Sequence, residues 1–310
     1  FTDKPAQVGA TFFDTLVFGT SASTVRGYYR EMSYGVLDIV TLNVPSSLGW
    51  RTAPQTYAYY TNGNSCLGSY PRNCQRLTED VVALVNSAVD FRNYDNDGDG
   101  WVDTVFIIHS GTGAEVIADE IQRNNTIWSH SWWTYSEPLV DGVRVGSYIT
   151  MPELWFTPGD MTHGVYVHEL GHAFGLPDLY DTTSPAGKVF AESQGIGSFE
   201  LMASGTWNAN GFVPAEFSAW SKVALGWIDP VVVARFMPGA PIGEIAFYGS
   251  TARIATVLAE EPSVLVKIDA DSLVRSGDDH DPATVVHHYL AVNLARRLMN
   301  MTRLMRDADF

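Results

Sequence analysis

Short runs of branched and aromatic residues alternate with stretches whose apolar positions recur every three or four residues, and the two textures predict different elements. Residues 37–44 (LDIVTLNV), 102–109 (VDTVFIIH) and 143–151 (VRVGSYITM) read as strands. Residues 23–32 and 78–91 read as helices, the second opening with Thr78 as N-cap and with Glu79 and Asp80 near the helix's positive end. Residues 214–225 (PAEFSAWSKVAL) form another, with Pro214 where a first turn tolerates it and Gly226 where a helix commonly stops. This alternation predicts a sheet covered by helices, an α/β (α+β) fold. After Trp227 the texture changes, because Pro230, Pro238, Gly239, Pro241 and Gly243 punctuate short β-rich runs such as residues 263–268 and 289–292. The expectation is a main domain over residues 1–228 and a smaller β-rich segment over 229–310, packed on it.

Composition narrows the class. The 310 residues are 45% hydrophobic and 12% aromatic, enough apolar surface to offset chain entropy in a globular core. A formal charge of −16 repels phosphate backbones and anionic lipid, which argues against nucleic-acid and membrane-surface partners and favours hard cations. No apolar stretch approaches the roughly 20 residues of a spanning helix. The chain opens on Phe1 without a signal-peptide pattern, so a processed or trimmed form is expected. The two cysteines, Cys66 and Cys74, flank a short polar loop that suits a local disulfide and an oxidising, extracellular compartment; two unpaired thiols are the alternative.

The chemistry concentrates at residues 168–181, HELGHAFGLPDLYD. On a helix over residues 162–174, advancing roughly 100° per residue, His168 and His172 project from one side and Tyr166, Val167, Leu170, Ala173 and Phe174 from the other. Two imidazoles four residues apart can share one ion, and Glu169 flanks them, where its carboxylate reaches a water on that ion. A catalytic zinc takes three protein ligands and keeps one position open. Gly175 lets the helix end through a positive φ, Pro177 prevents it from resuming, and the returning chain brings Asp178 up as third ligand. Downstream, GIGSFELMASGTW sets Met202 in a glycine-flanked turn, where a methionine packed below the ion would support the ligands without coordinating.

Together HELGHAFGLPDLYD, GIGSFELMASG and PAEFSAWSKVALGW resemble the immune inhibitor A family of secreted, metzincin-like zinc metallopeptidases, whose pattern is H-E-x-x-H-x-x-G-x-x-D. The likeness covers roughly residues 1–228. It implies that His168, His172 and Asp178 bind zinc, that Glu169 is the general base and acid, that Met202 belongs to the Met-turn, and that a mixed twisted sheet carries the active-site helix. It implies protein or peptide substrates too. A monomer is expected. Two other readings stay open: a zinc hydrolase of a non-protein amide, and an inactive secreted binding module on the same fold.

A second ion is expected at residues 95–103, DNDGDGWVD. Asp95, Asp97 and Asp99 alternate, Gly100 turns the chain, the Trp101 carbonyl can contribute oxygen and Asp103 returns at the ninth position, a calcium-like arrangement that lacks the twelfth-position glutamate of an EF-hand. The family also carries calcium; an acidic solvated turn is the alternative. His109 reads either as a structural histidine or as part of a cleft. His280, His287 and His288 read as surface residues, Trp128, Trp132, Trp133 and Tyr135 as core or cleft wall, and residues 148–151 as either an edge strand for an extended substrate or an internal strand. Asn124 and Asn300 fit glycosylation acceptors.

Overall fold

The computed structural model describes residues 1–182, 194–229, 241, 284, 286–287, 289–292 and 295. The chain divides into two compact units, Phe1–Asp229 and Pro230–Phe310. The first has a mixed α/β architecture. Its sheet has three strands, β1 (Val105–His109), β2 (His130–Trp133) and β5 (Ser147–Pro152), in the order β1-β5-β2. β5 lies parallel to β1 and antiparallel to β2. A small hairpin, β3 (Leu139–Val140) and β4 (Val143–Arg144), leads into β5.

The pleat explains how helices cover both faces. Ile107 and Tyr148 point to one side, into a core built with Tyr57 and Tyr60 of helix α4 (Tyr57–Thr61) and Leu77 of α5 (Cys74–Val85). Ile149 and Met151 point to the other, against α1 (Thr11–Phe18), α2 (Val25–Met32) and α7 (Gly164–Ala173). Here Phe13, Tyr29, Leu170, Leu201 and Met202 are almost wholly buried. Two tyrosines fix α7 on this face: Tyr29 Oη donates to the Val167 carbonyl and Tyr166 Oη to the Pro152 carbonyl, both at 2.7 Å.

Several sequence expectations change. Residues 37–44 form no strand, because Arg26 on α2 holds Asp38 at 2.6 and 2.8 Å and the run lies along the helices with Val40 and Leu42 exposed. The second helix begins at Cys74, with Asn73 as cap accepting from the Arg76 N–H; Thr78 lies inside it and bonds the Cys74 carbonyl. Asp90 starts a separate 3-10 turn, Phe91–Tyr94. Residues 143–151 break at Val145 and Gly146 into β4 and β5, where the indole of Trp133 lies so close to Gly146 that a Cβ would come within 2.2 Å of it. Residues 214–217 lie outside any helix, and α8 (Ala219–Ala224) starts only at its cap Ser218. In the second unit residues 289–292 are helical rather than a strand; Leu290 and Ala291 are good helix formers and Pro282 stands a few residues upstream. Residues 263–268, His280, His288 and Asn300 lie outside the described residues, and His287 is half-buried. Among the described residues no helix is long and apolar enough to cross a membrane.

Candidate metal centre

α7 is buried along most of its length, so its histidines work from inside the molecule rather than from a solvated face. The helix ends at Gly175, φ 89°, whose N–H returns to the His172 carbonyl, while the Leu176 N–H returns to that of Gly171. That turn has a chemical consequence. The Leu176 carbonyl lies 2.7 Å from His172 Nδ1, and the Leu201 carbonyl lies 2.9 Å from His168 Nδ1. A carbonyl can only accept, so each Nδ1 carries the proton and each neutral ring turns an Nε2 lone pair inward.

Both lone pairs meet Asp178. Its Oδ1 lies 3.2 Å from His168 Nε2 and 3.3 Å from His172 Nε2, and the three candidate ligand atoms fall within 4.8 Å of one another. The rings stand perpendicular, 4.8 Å between centroids. Two imidazole nitrogens and a carboxylate oxygen converging without an intervening donor repel one another unless a cation lies among them. The donor set suits zinc: three protein ligands of nitrogen and oxygen, with room for a fourth. When no metal is bound, protons take the cation's part. Burial works against charge on His168 and His172, but the Asp178 carboxylate outweighs it and raises both, His172 to about 9; burial likewise opposes charge on Asp178, yet the two imidazoles hold it well below the usual carboxylate range.

Glu169 is buried beside this group, 6% exposed. Burial pushes its pKa up, while the neighbouring histidines and the Ser131 backbone N–H favour the charged form. Ser131 belongs to β2, an outer strand of the sheet, so this strand and the helix meet near this carboxylate. Tyr180 hydrogen-bonds Asp178, and its own hydroxyl is pushed far up by burial and by that carboxylate's charge.

Met202 lies under the helix. A Cβ on Gly171 would sit 2.5 Å from its Sδ, so the glycine lets the sulfur reach the helix backbone between the two histidines. The Met202 carbonyl accepts from the Leu179 N–H at 2.7 Å, next to Asp178. One short segment, Leu201 and Met202, thus holds both His168 and the chain beside Asp178. Sequence reasoning missed what anchors it. Glu200, fully buried, accepts from the Met202 N–H, from the Ser221 hydroxyl at 2.6 Å and from the Ser218 N–H at 3.2 Å, tying the turn to α8. Its signal in the sequence was an acid inside an apolar run, FELM.

The remaining expected residues fall elsewhere. Asp95, Asp97 and Asp99 bring carboxylate oxygens within 4.8 Å of one another, whereas Asp103 bonds the backbone and side chain of Asn96. The Trp101 N–H caps Asp99, and Trp101 bridges to Arg144. Cys66 and Cys74 are joined in a buried disulfide. His109 is a buried residue at the end of β1, its Nδ1 3.1 Å from the Ser110 carbonyl, and burial lowers it to about 3. Residues 148–151 are central in the sheet, so among the described residues its outer strands are β1 and β2, and β2 is the one that packs beside α7. Trp132, Trp133 and Tyr135 are partly exposed along and just after that strand, while Trp128 is half-buried.

Residues 10–228 match the immune inhibitor A peptidase M6 catalytic domain. The chain belongs to that family. It is 29% identical over 233 residues to immune inhibitor A of Bacillus thuringiensis subsp. alesti, covering 66% of this chain and 32% of the relative. It is 26% identical over 227 residues to the pre-pro-metalloprotease PrtV of Vibrio cholerae serotype O1 (strain M66-2), covering 66% of this chain and 24% of that protein. The matched part thus amounts to a third or less of each relative's length. The M6 catalytic-domain match spans every residue of the metal group and the Met202 turn.

Proposed function

We propose that this M6-family chain is a secreted zinc metalloendopeptidase whose catalytic unit lies within residues 1–228. The observation that supports it most is the convergence of His168 Nε2, His172 Nε2 and Asp178 Oδ1 beside the buried carboxylate of Glu169. His168, His172 and Asp178 would hold zinc. Bound there, zinc supplies Lewis acidity that polarises a peptide carbonyl and makes water a nucleophile near neutral pH. Glu169 takes the proton from the attacking water and passes it to the departing amine, and its burial, by raising its proton affinity, suits both halves of that exchange.

The substrate would lie along β2. Thr134 donates to the Gly146 carbonyl at 2.9 Å, which makes Thr134 and Gly146 a hydrogen-bonded pair; with the register of β2 on β5, Trp132 and His130 also face inward, and Ser131 and Trp133 face outward. The outward Ser131 N–H favours the charged form of Glu169, and the Trp133 carbonyl accepts from Gln75 Nε2 at 2.7 Å. An extended peptide would then pair with the Ser131 carbonyl and the Trp133 N–H. The Cys66–Cys74 disulfide supports an extracellular setting, and the Asp95, Asp97 and Asp99 cluster is proposed to hold structural calcium.

The test is Glu169→Gln. The variant is expected to keep about one zinc per chain by elemental analysis and to lose nearly all cleavage of labelled casein. An active Gln variant, or wild-type protein that hydrolyses small amides but no casein, would refute the reading.

A further inference from the structure

Buried carboxylates in this protein act as clamps. Glu79 accepts from the Tyr135 and Ser136 N–H groups and the Tyr70 hydroxyl, Glu153 from the N–H groups of Gln7, Val8 and Gly111, and Glu200 from the three donors described above. Each draws several residues together. Glu115, half-buried in the 3-10 turn Ala114–Val116, instead gives both oxygens to one residue: Oε1 to the Ser129 hydroxyl and Oε2 to the Ser129 N–H, 3.4 Å away.

Ser129 directly precedes β2. In the alternation that turns Ser131 and Trp133 outward, Ser129 is the next outward position upstream. Glu115 therefore takes the outward N–H of Ser129, and two residues on, at the next outward position, the Ser131 N–H favours the charged form of Glu169. Gln75 takes the Trp133 carbonyl at the other end. The strand beside the general base is bracketed, and its upstream clamp is Glu115.

We infer that Glu115 is a positioning residue, whose carboxyl group holds Ser129 and thereby fixes where the Ser131 backbone meets Glu169 and the substrate. The inference rests on the peptidase reading above. Proximity of the two glutamates has an electrostatic trace as well: burial raises Glu115 to about 7, the Ser129 contacts oppose that rise, and the charge of Glu169 adds to it. Gly113 makes the arrangement possible, since a Cβ there would lie 2.6 Å from the Glu115 carboxyl carbon. Its φ of −83° suits any residue, so alanine at this position displaces Glu115 without straining the backbone.

The test compares Glu115→Ala, Glu115→Gln and Gly113→Ala with wild type, reading kcat and KM on labelled casein, zinc content and thermal melting. Misplaced catalytic groups lose rate steeply with small displacements. Glu115→Ala is expected to lower kcat roughly ten- to a hundredfold with zinc content unchanged and KM within about twofold. Glutamine can accept the Ser129 N–H and donate to its hydroxyl, so Glu115→Gln recovers most of that loss. Gly113→Ala reproduces the kcat defect with Glu115 still present. The inference is overturned if Glu115→Ala and Gly113→Ala turn over at the wild-type rate per folded, zinc-loaded molecule, whatever their melting temperatures, or if Glu115→Gln falls as far as alanine. Wild-type protein without zinc-dependent cleavage would instead sink the peptidase reading on which the inference stands.

Discussion

His168 Nδ1 donates to the Leu201 carbonyl at 2.9 Å, and Leu201 adjoins Met202, whose sulfur lies under the same helix. Ligand orientation and core packing are therefore one structural problem at this point. Met202→Ala opens a fully buried cavity beneath the histidines and is expected to cost about 2–5 kcal/mol. It should also weaken zinc binding, since the Leu201 carbonyl and the contact at Leu179 move with it. Met202→Leu conserves volume and should cost less than about 1.5 kcal/mol. Urea melts with a competitive zinc titration measure both, and wild-type zinc affinity in Met202→Ala would disprove the coupling.

Calcium at the acidic loop makes a separate prediction. Asp95 Oδ1 is buried without a hydrogen-bond partner, close to carboxylates of Asp97 and Asp99, an arrangement that a cation relieves. The loop leads into β1, and the Gly100 carbonyl accepts from the Arg144 N–H of β4, so its order bears on the sheet. A ligand present at a hundred times its Kd stabilises by about 2.7 kcal/mol. Calcium should raise the melting temperature and Asp97→Asn should blunt that rise; a melting curve indifferent to calcium would leave the cluster an acidic turn.

Local rules make the metal group legible in the sequence. Two histidines on one helical face, a glycine that stops the helix and an aspartate six residues on are each readable from short-range geometry, and they do converge. Contacts between distant segments were not legible. Nothing local marks Glu200 as the anchor of the Met202 turn, Glu115 as the clamp on Ser129, or β2 as an outer strand of the sheet, because each depends on pairings between residues far apart in the chain. The run at residues 37–44 failed for the opposite reason: its β-branched residues look like a strand, but a strand needs a neighbour, and Arg26 draws Asp38 elsewhere.

The disulfide closes a short loop, with a sequence separation of 8 between Cys66 and Cys74. In the chain-entropy model such a loop contributes roughly 2–3 kcal/mol. Both sulfurs are inaccessible in the folded chain, packed with Tyr57, Tyr60 and Leu77. Reducing agent alone should therefore leave native activity intact for hours while lowering the urea midpoint once unfolding begins. The paired Cys66→Ala and Cys74→Ala variant should show the same midpoint in both conditions. Rapid reduction of the native protein, followed by thiol labelling, would contradict this burial.

Acid should destabilise the fold through histidines outside the metal group. Burial lowers His109 to about 3 and His130 and His163 to about 4, so each is neutral in the folded chain at pH values where the unfolded chain binds a proton. With an unfolded pKa near 6.5, the stability contributed by the neutral form is complete above about pH 6.5 and is lost as pH falls towards the folded values. Each group adds up to about 1.4 kcal/mol per pH unit to the slope inside that window. His109→Asn can keep a donor on the Ser110 carbonyl while removing the titration. Release of any bound metal on acidification would be common to both proteins and cancels in the difference between them. The variant's stability, measured by urea melts from pH 7 to pH 4, should therefore fall less steeply than wild type by up to one proton; parallel curves would mean that His109 takes up its proton in the folded state as readily as in the unfolded one.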